Sequence, residues 1–181
     1  MARIAVTGGV AEGKSTVVDY LRELGYTTAS SDDIAKDVFE SEEVQDGLRS
    51  ILGSEGPATP QTLRDKIWDH QALRRSVNRL MHPIILRELD RTGAEVVEIP
   101  LLVETCRQGS FPRVWVVTCG LEEQKRRLVQ RLGDEATAEA ILSSQLPSDV
   151  KAVFADVIVR TNRPPEDVKR FVTAVAARLV Q

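Results

Sequence analysis

The residues with the plainest chemical use lie near the start of the chain. Gly8-Gly9-Val10-Ala11-Glu12-Gly13-Lys14-Ser15 fits the spacing G-x-x-x-x-G-K-[ST], which is a device for holding phosphate. Backbone N–H groups in such a loop can wrap around phosphate oxygens. The N-terminus of a following helix adds partial positive charge, and Lys14 adds a full one. The Ser15 hydroxyl suits Mg2+, which also bridges phosphate oxygens. Gly9, Ala11, Glu12, Gly13, Lys14, Ser15 and Thr16 are therefore the expected nucleotide contacts. Ala11 is unusual because a methyl group resists the positive φ that glycine allows. Glu12 is unusual because a carboxylate near phosphate opposes its charge. Middle residues of such a loop act through their N–H groups, so a Glu12 side chain that points outward need not touch phosphate, and the loop is expected to be competent.

Other chemistry-bearing residues are scattered. Asp32 could serve as a proton acceptor or as a helix cap. Arg127 and Arg131, four apart, share one helix face and could close over a transferring phosphoryl group; a solvated charged face is the alternative, and the reading preferred for Lys125 and Arg126. Glu98 and Glu104 flank Ile99-Pro100-Leu101-Leu102-Val103 and could hold Mg2+ through water, bind substrate hydroxyls, or simply start a helix. His82 before Pro83 suits a kink between helices more than a ligand contact, and Arg64 suits either an acceptor phosphate or a surface ion pair.

These residues need elements to position them. Arg3–Val6, Tyr26–Ala29, Val96–Ile99, Val114–Thr118 and Asp156–Val159 read as five strands. The continuous apolar character of the third and fourth is that of a parallel sheet covered on both faces. A helix starts at Lys14 and ends near Gly25, and another runs from the Ser30–Asp33 capping residues to about Phe39. The polar stretch from Glu40 to His70 suggests short helices and loops, and a long helical pattern over Ala72–Leu89 is interrupted at His82-Pro83. Leu121–Arg131 and Glu135–Ser144 are helical. The tail after Pro165 places Val168, Phe171, Val172, Val175 and Leu179 on one stripe. The expectation is a single α/β domain, three-layered α/β/α with a mostly parallel five-stranded sheet. A small helical lobe occupies about residues 40–92 and a lid about 121–150.

The 181 residues are enough for a real core, and 42% hydrophobic with 28% charged content is that of a soluble globular protein. A net charge of −3 argues against a nucleic-acid binder. No apolar run reaches membrane-spanning length, and Cys106 and Cys119 lack metal-ligand spacing. The expected setting is the reducing cytoplasm, with no obligate protein partner evident. A phosphate loop alone fits a kinase, a GTPase or a motor-type ATPase, and the absence of an N-K-x-D segment weighs against the GTPase.

Taken in order, the remaining motifs resemble those of the dephospho-CoA kinase family. Thr7–Thr16 matches its T-G-G-x-x-x-G-K-S-T, and Ser30-Ser31-Asp32-Asp33-Ile34-Ala35 partly matches D-x-D-x-I-A. Leu63-Arg64 stands for L-x-R in the small lobe, without the intervening residue, and His82-Pro83 matches the H-P pair. Pro100-Leu101-Leu102-Val103-Glu104 fits P-L-L-x-E, and Glu123, Gln124 and Arg127 fit E-Q-x-x-R. Gln145, Lys151 and Ala155-Asp156 then follow in family order. The resemblance implies ATP and Mg2+ as cofactors and transfer of the ATP γ-phosphate to the ribose 3′-hydroxyl of dephospho-CoA. It implies catalytic roles for Lys14, Asp32, Arg127 and Arg131, and acceptor contacts from Asp32, Arg64, His82, Glu98, Leu101 and Glu104. It places Asn162 near the adenine.

The sequence also departs from that pattern. Ser30 stands where the family has its first aspartate, Asn162 lacks the glycine of N-x-G, and Leu132–Val150 contains no Lys or Arg. A related P-loop kinase with another nucleoside or nucleotide acceptor, and an idle nucleotide-binding relative, are the two alternatives.

Overall fold

The computed structural model describes residues 3–67 and 70–178. Five strands form one sheet: β1 (Ile4–Thr7), β2 (Thr28–Ser30), β3 (Val96–Glu98), β4 (Arg113–Thr118) and β5 (Val157–Arg160). Their order is β2-β3-β1-β4-β5 and every pairing is parallel. Because all five run the same way, Thr7, Ser30, Glu98, Thr118 and Arg160 end on one edge. Ligands of open α/β sheets bind at that carboxyl edge.

The chain divides into two compact units, residues 1–30 with 94–181 and residues 31–93. The first holds the sheet, and strand alternation sorts its core. Ile4, Val6, Trp115 and Val117 face α1 (Lys14–Glu23) and α9 (Pro165–Ala177), meeting Val17, Leu21, Val168 and Val172. Ala5, Val114 and Val116 face the other way, towards Leu102, Phe111 and Ala152. That side carries α8 (Ser148–Ala152) against β4. α6 (Leu121–Leu132) and α7 (Glu135–Ser143) pack on each other and are joined by Lys125, which pairs with Glu135 at 2.8 Å and Glu139 at 2.7 Å. Pro165 opens α9 as expected, but Phe171 is exposed and Ala176 takes the inner seam. Leu179 lies outside the described residues.

The second unit is helical: α2 (Ser31–Glu40), α3 (Glu42–Leu52), α4 (Pro60–Ile67) and α5 (Gln71–Arg91). Val38, Val44, Leu48, Ala58 and Val77 form its core, and it begins one helix earlier than residue 40. Gly47 lets α3 come close to α5, since a Cβ there would sit 2.6 Å from Leu80 Cδ2. The expected interruption at His82-Pro83 is absent: α5 runs through Pro83. A proline costs the helix one N–H bond, and Leu80, Met81, Ile84 and Ile85 pack the same turns into the lobe core.

Candidate active site

The phosphate loop joins β1 to α1, and its backbone is held in an unusual shape. Gly13 caps α1 at φ 88°, a left-handed conformation that suits glycine. Ala11 adopts φ 60° despite its Cβ, at a cost of about 1–2 kcal/mol. A Cβ at Gly9 would lie 2.2 Å from Gln124 Nε2, so a side chain there would push Gln124 away. The Lys14 ammonium reaches across the loop to the Gly9 carbonyl at 2.8 Å. Among the described residues, the N–H groups of Ala11, Glu12, Gly13, Ser15 and Thr16 have no protein acceptor. They are the loop's anion-binding surface.

Glu12 does not point outward. Its side chain turns inward and is 1% exposed. The carboxylate accepts the Gly9 N–H at 2.5 Å, the Thr118 hydroxyl at 3.0 Å and the Ser148 hydroxyl. Burying an acid without donors is costly, and three donors draw this one behind the loop. Two glutamines hold Val10 from different sides: Gln124 Nε2 donates to its carbonyl at 2.9 Å, and Gln145 Oε1 accepts its N–H at 3.0 Å. Thr161, at the end of β5, donates its hydroxyl to the Glu12 carbonyl at 2.6 Å.

The basic helix divides its labour. Arg127 spends its guanidinium on Glu123 Oε1 (2.7 Å), the Thr161 hydroxyl (3.1 Å) and the Thr161 carbonyl (2.7 Å). In this structure it braces the Thr161–Glu12 contact. Arg131 is exposed in the last turn of α6 with no partner among the described residues. Hydrogen bonds from Arg126, and then from Arg127, hold the Glu123 carboxyl down at about 2. Cys119 beside them is buried and its thiol is pushed up by that burial.

Glu98 sits in register with Val6 and Ser30 on the carboxyl edge, half-buried. Glu104 is engaged elsewhere: it pairs with the fully buried Lys151 at 2.7 Å and accepts the Leu146 N–H at 3.1 Å. Lys151 and Thr7 both donate to the Pro100 carbonyl, at 3.1 and 3.2 Å. This carboxylate is a brace for the strand end, and Leu101 beside it is 44% exposed. Asn162 is exposed just past β5.

In the helical unit, Asp32 and Arg64 line one cavity of about 1020 Å³, while His82 is exposed on α5 and does not line it. Ala35, Phe39, Pro57, Leu63 and Met81 supply apolar wall, and Lys36 and Arg74 add positive charge. Sequence reading missed both cations. Lys36 had a faint signal, four residues after Asp32 on one helix face, whereas nothing local marked Arg74. It also missed Thr118, Ser148 and Thr161, hydroxyls whose use depends on tertiary neighbours.

The Ser15 hydroxyl is exposed at the start of α1, and no group of three His, Cys, Asp or Glu residues suited to a metal occurs among the described residues. Mg2+ takes one or two protein oxygens and completes its shell with phosphate and water. The donor set fits that mode. No helix among the described residues is long and apolar enough to cross a membrane.

A profile of the dephospho-CoA kinase family matches residues 2–166. The chain belongs to the dephospho-CoA kinase family. A dephospho-CoA kinase of Corynebacterium glutamicum is 32% identical, over 99% of this chain and 100% of its own. One from Bdellovibrio bacteriovorus is also 32% identical, over 97% and 94%. A solved structure from Thermus thermophilus superposes with a TM-score of 0.84 at 28% identity, covering 98% of this chain and 97% of that one. As a dephospho-CoA kinase family member the chain is an ATP-dependent kinase, and the P-loop kinase architecture expected from sequence is the one observed.

Proposed function

We propose that this chain transfers the γ-phosphoryl group of ATP to the ribose 3′-hydroxyl of dephospho-CoA, giving ADP and CoA, in the cytoplasm. The observation that carries the reading is the pairing of two features in one chain. The loop offers a cradle of unpaired N–H groups with Lys14, and the helical unit offers a large cavity with apolar walls and cationic residues. That cavity suits an acceptor with a long, mostly uncharged arm and a diphosphate, which Arg64, Arg74 and Lys36 would meet.

In this mechanism the loop N–H groups and Lys14 take the charge on the nucleotide phosphates. Asp32 orients the acceptor hydroxyl and accepts its proton as the new O–P bond forms and the bond to the ADP oxygen breaks. Ser15 would hold Mg2+, which when bound neutralises phosphate charge. The bonds that Arg127 donates to the Glu123 carboxylate and the Thr161 carbonyl keep the β5 end in place beside the loop. Segment 121–150 acts as the lid, excluding water that would otherwise hydrolyse ATP. Arg131, without a partner among the described residues, is the lid cation available to the transferring phosphoryl group.

The test is Mg·ATP turnover with and without dephospho-CoA, following ADP and CoA by mass. Stoichiometric CoA formation supports the reading. ADP binding without CoA formation overturns it, and phosphorylation of another nucleoside or nucleotide in a parallel panel would name a different acceptor.

A further inference from the structure

Glu12 is an acid inside a phosphate-binding loop, and nothing in the transfer chemistry asks for it. Its position gives it a use. The carboxylate reaches back to the Gly9 N–H, forward in the fold to Thr118 at the end of β4, and across to Ser148 at the start of α8. Its carbonyl receives Thr161 from the end of β5, and Thr161 is in turn held by Arg127. Thr118 is oriented by accepting the Gly120 N–H at 3.2 Å. One residue therefore ties the loop to three separate segments. The strained left-handed backbone of Ala11 sits next to it, and such a conformation persists only where the surroundings over-determine it.

We propose that Glu12 is a positioning residue for nucleotide: its buried carboxylate fixes the loop through Gly9, Thr118 and Ser148, so that the N–H groups of Ala11, Glu12, Gly13, Ser15 and Thr16, without a protein acceptor among the described residues, keep one orientation. The proposal rests on the reading that this loop binds the phosphates of ATP, and it does not depend on the identity of the acceptor. Within the loop the Glu12 carboxylate meets the Gly9 N–H, so it acts through the backbone.

Glu12→Ala, Glu12→Gln and Ser148→Ala separate this role from its rivals. The readouts are Mg·ADP affinity by titration, and kcat and KM for ATP and for dephospho-CoA. Glu12→Ala should weaken Mg·ADP binding and raise KM for ATP by about ten- to a hundredfold, the scale of misplacing binding groups by an ångström. KM for dephospho-CoA should stay within about twofold. Glu12→Gln should recover most of the loss, since its oxygen can accept from Gly9 and Ser148 while its amide donates to Thr118. Ser148→Ala should give a smaller loss, and combining it with Glu12→Ala should add almost nothing, because both remove one contact.

A merely structural role would lower the active fraction and leave affinities of the folded protein unchanged; that result overturns the proposal. So would a Glu12→Gln variant that binds Mg·ADP about tenfold tighter than the parent, because Glu12 would then be acting by charge repulsion. If Glu12→Ala fails to fold, Ser148→Ala and Glu12→Gln still decide: an Mg·ADP affinity indifferent to Ser148→Ala overturns the proposal. Failure of CoA formation with the ADP-affinity pattern intact would sink the acceptor assignment and leave this inference standing.

Discussion

Asp32 and Glu12 show what a single position can and cannot reveal. For Asp32 the sequence places a carboxylate directly after a strand, at the edge where ligands gather, and leaves a proton acceptor and a helix cap both open. The structure leaves it exposed in the first turn of α2, lining the lobe cavity. Asp32→Asn should lower kcat by about 10²–10⁴-fold while Mg·ADP affinity stays within about twofold, measured by steady-state kinetics and titration. For Glu12 the spacing marks a residue as belonging to the loop but not which side of the loop its carboxylate faces. That choice is made by Thr118 and Ser148, far away in sequence. Glu123 carries a pH signature. Its carboxyl is held at about 2, first by Arg126 and then by Arg127, against an ordinary 4.5. A depressed acid stabilises the fold above its unfolded pKa and loses that contribution as pH falls through the folded one. The gap in melting temperature between the parent and Glu123→Gln should therefore be full at pH 5 and shrink steadily towards pH 2.

Among elements, strands and amphipathic helices were largely readable, since apolar runs such as Val114–Val117 can only be buried. Two misreadings share a cause. Pro83 was read as an interruption and Phe171 as core, yet α5 continues and Phe171 stays in solvent. In both cases packing on the rest of the helix outweighs a local preference. Helix α8 is held by a contact that sequence could not grade, the pair of the fully buried Lys151 with Glu104. Removing one member of such a pair leaves the other without its partner. Lys151→Met should cost about 3–5 kcal/mol in urea unfolding. Adding Glu104→Gln to that variant should return part of the loss, because the remaining group is then neutral.

For the whole molecule, the division into two units predicts two separable binding events. The loop and its braces lie wholly within residues 1–30 and 94–181, and the cavity lies wholly within residues 31–93. Mg·ADP and dephospho-CoA should each raise the melting temperature alone, with stabilisation of about 2.7 kcal/mol at a hundredfold excess over Kd. Arg64→Ala with Arg74→Ala should abolish the shift caused by dephospho-CoA and leave that caused by Mg·ADP. The family was legible from motifs spread along most of the chain. The cavity was not, because its cations come from three helices whose arrangement no local pattern encodes. The parallel pairing of β2 with β3 has a consequence for how such kinases diversify. The chain leaves β2 at one edge of the sheet and must re-enter β3 at the other, so the helical unit is itself the crossover between neighbouring strands. A lineage could exchange this single connection for another of equal span and acquire a new acceptor, while inheriting its nucleotide machinery untouched.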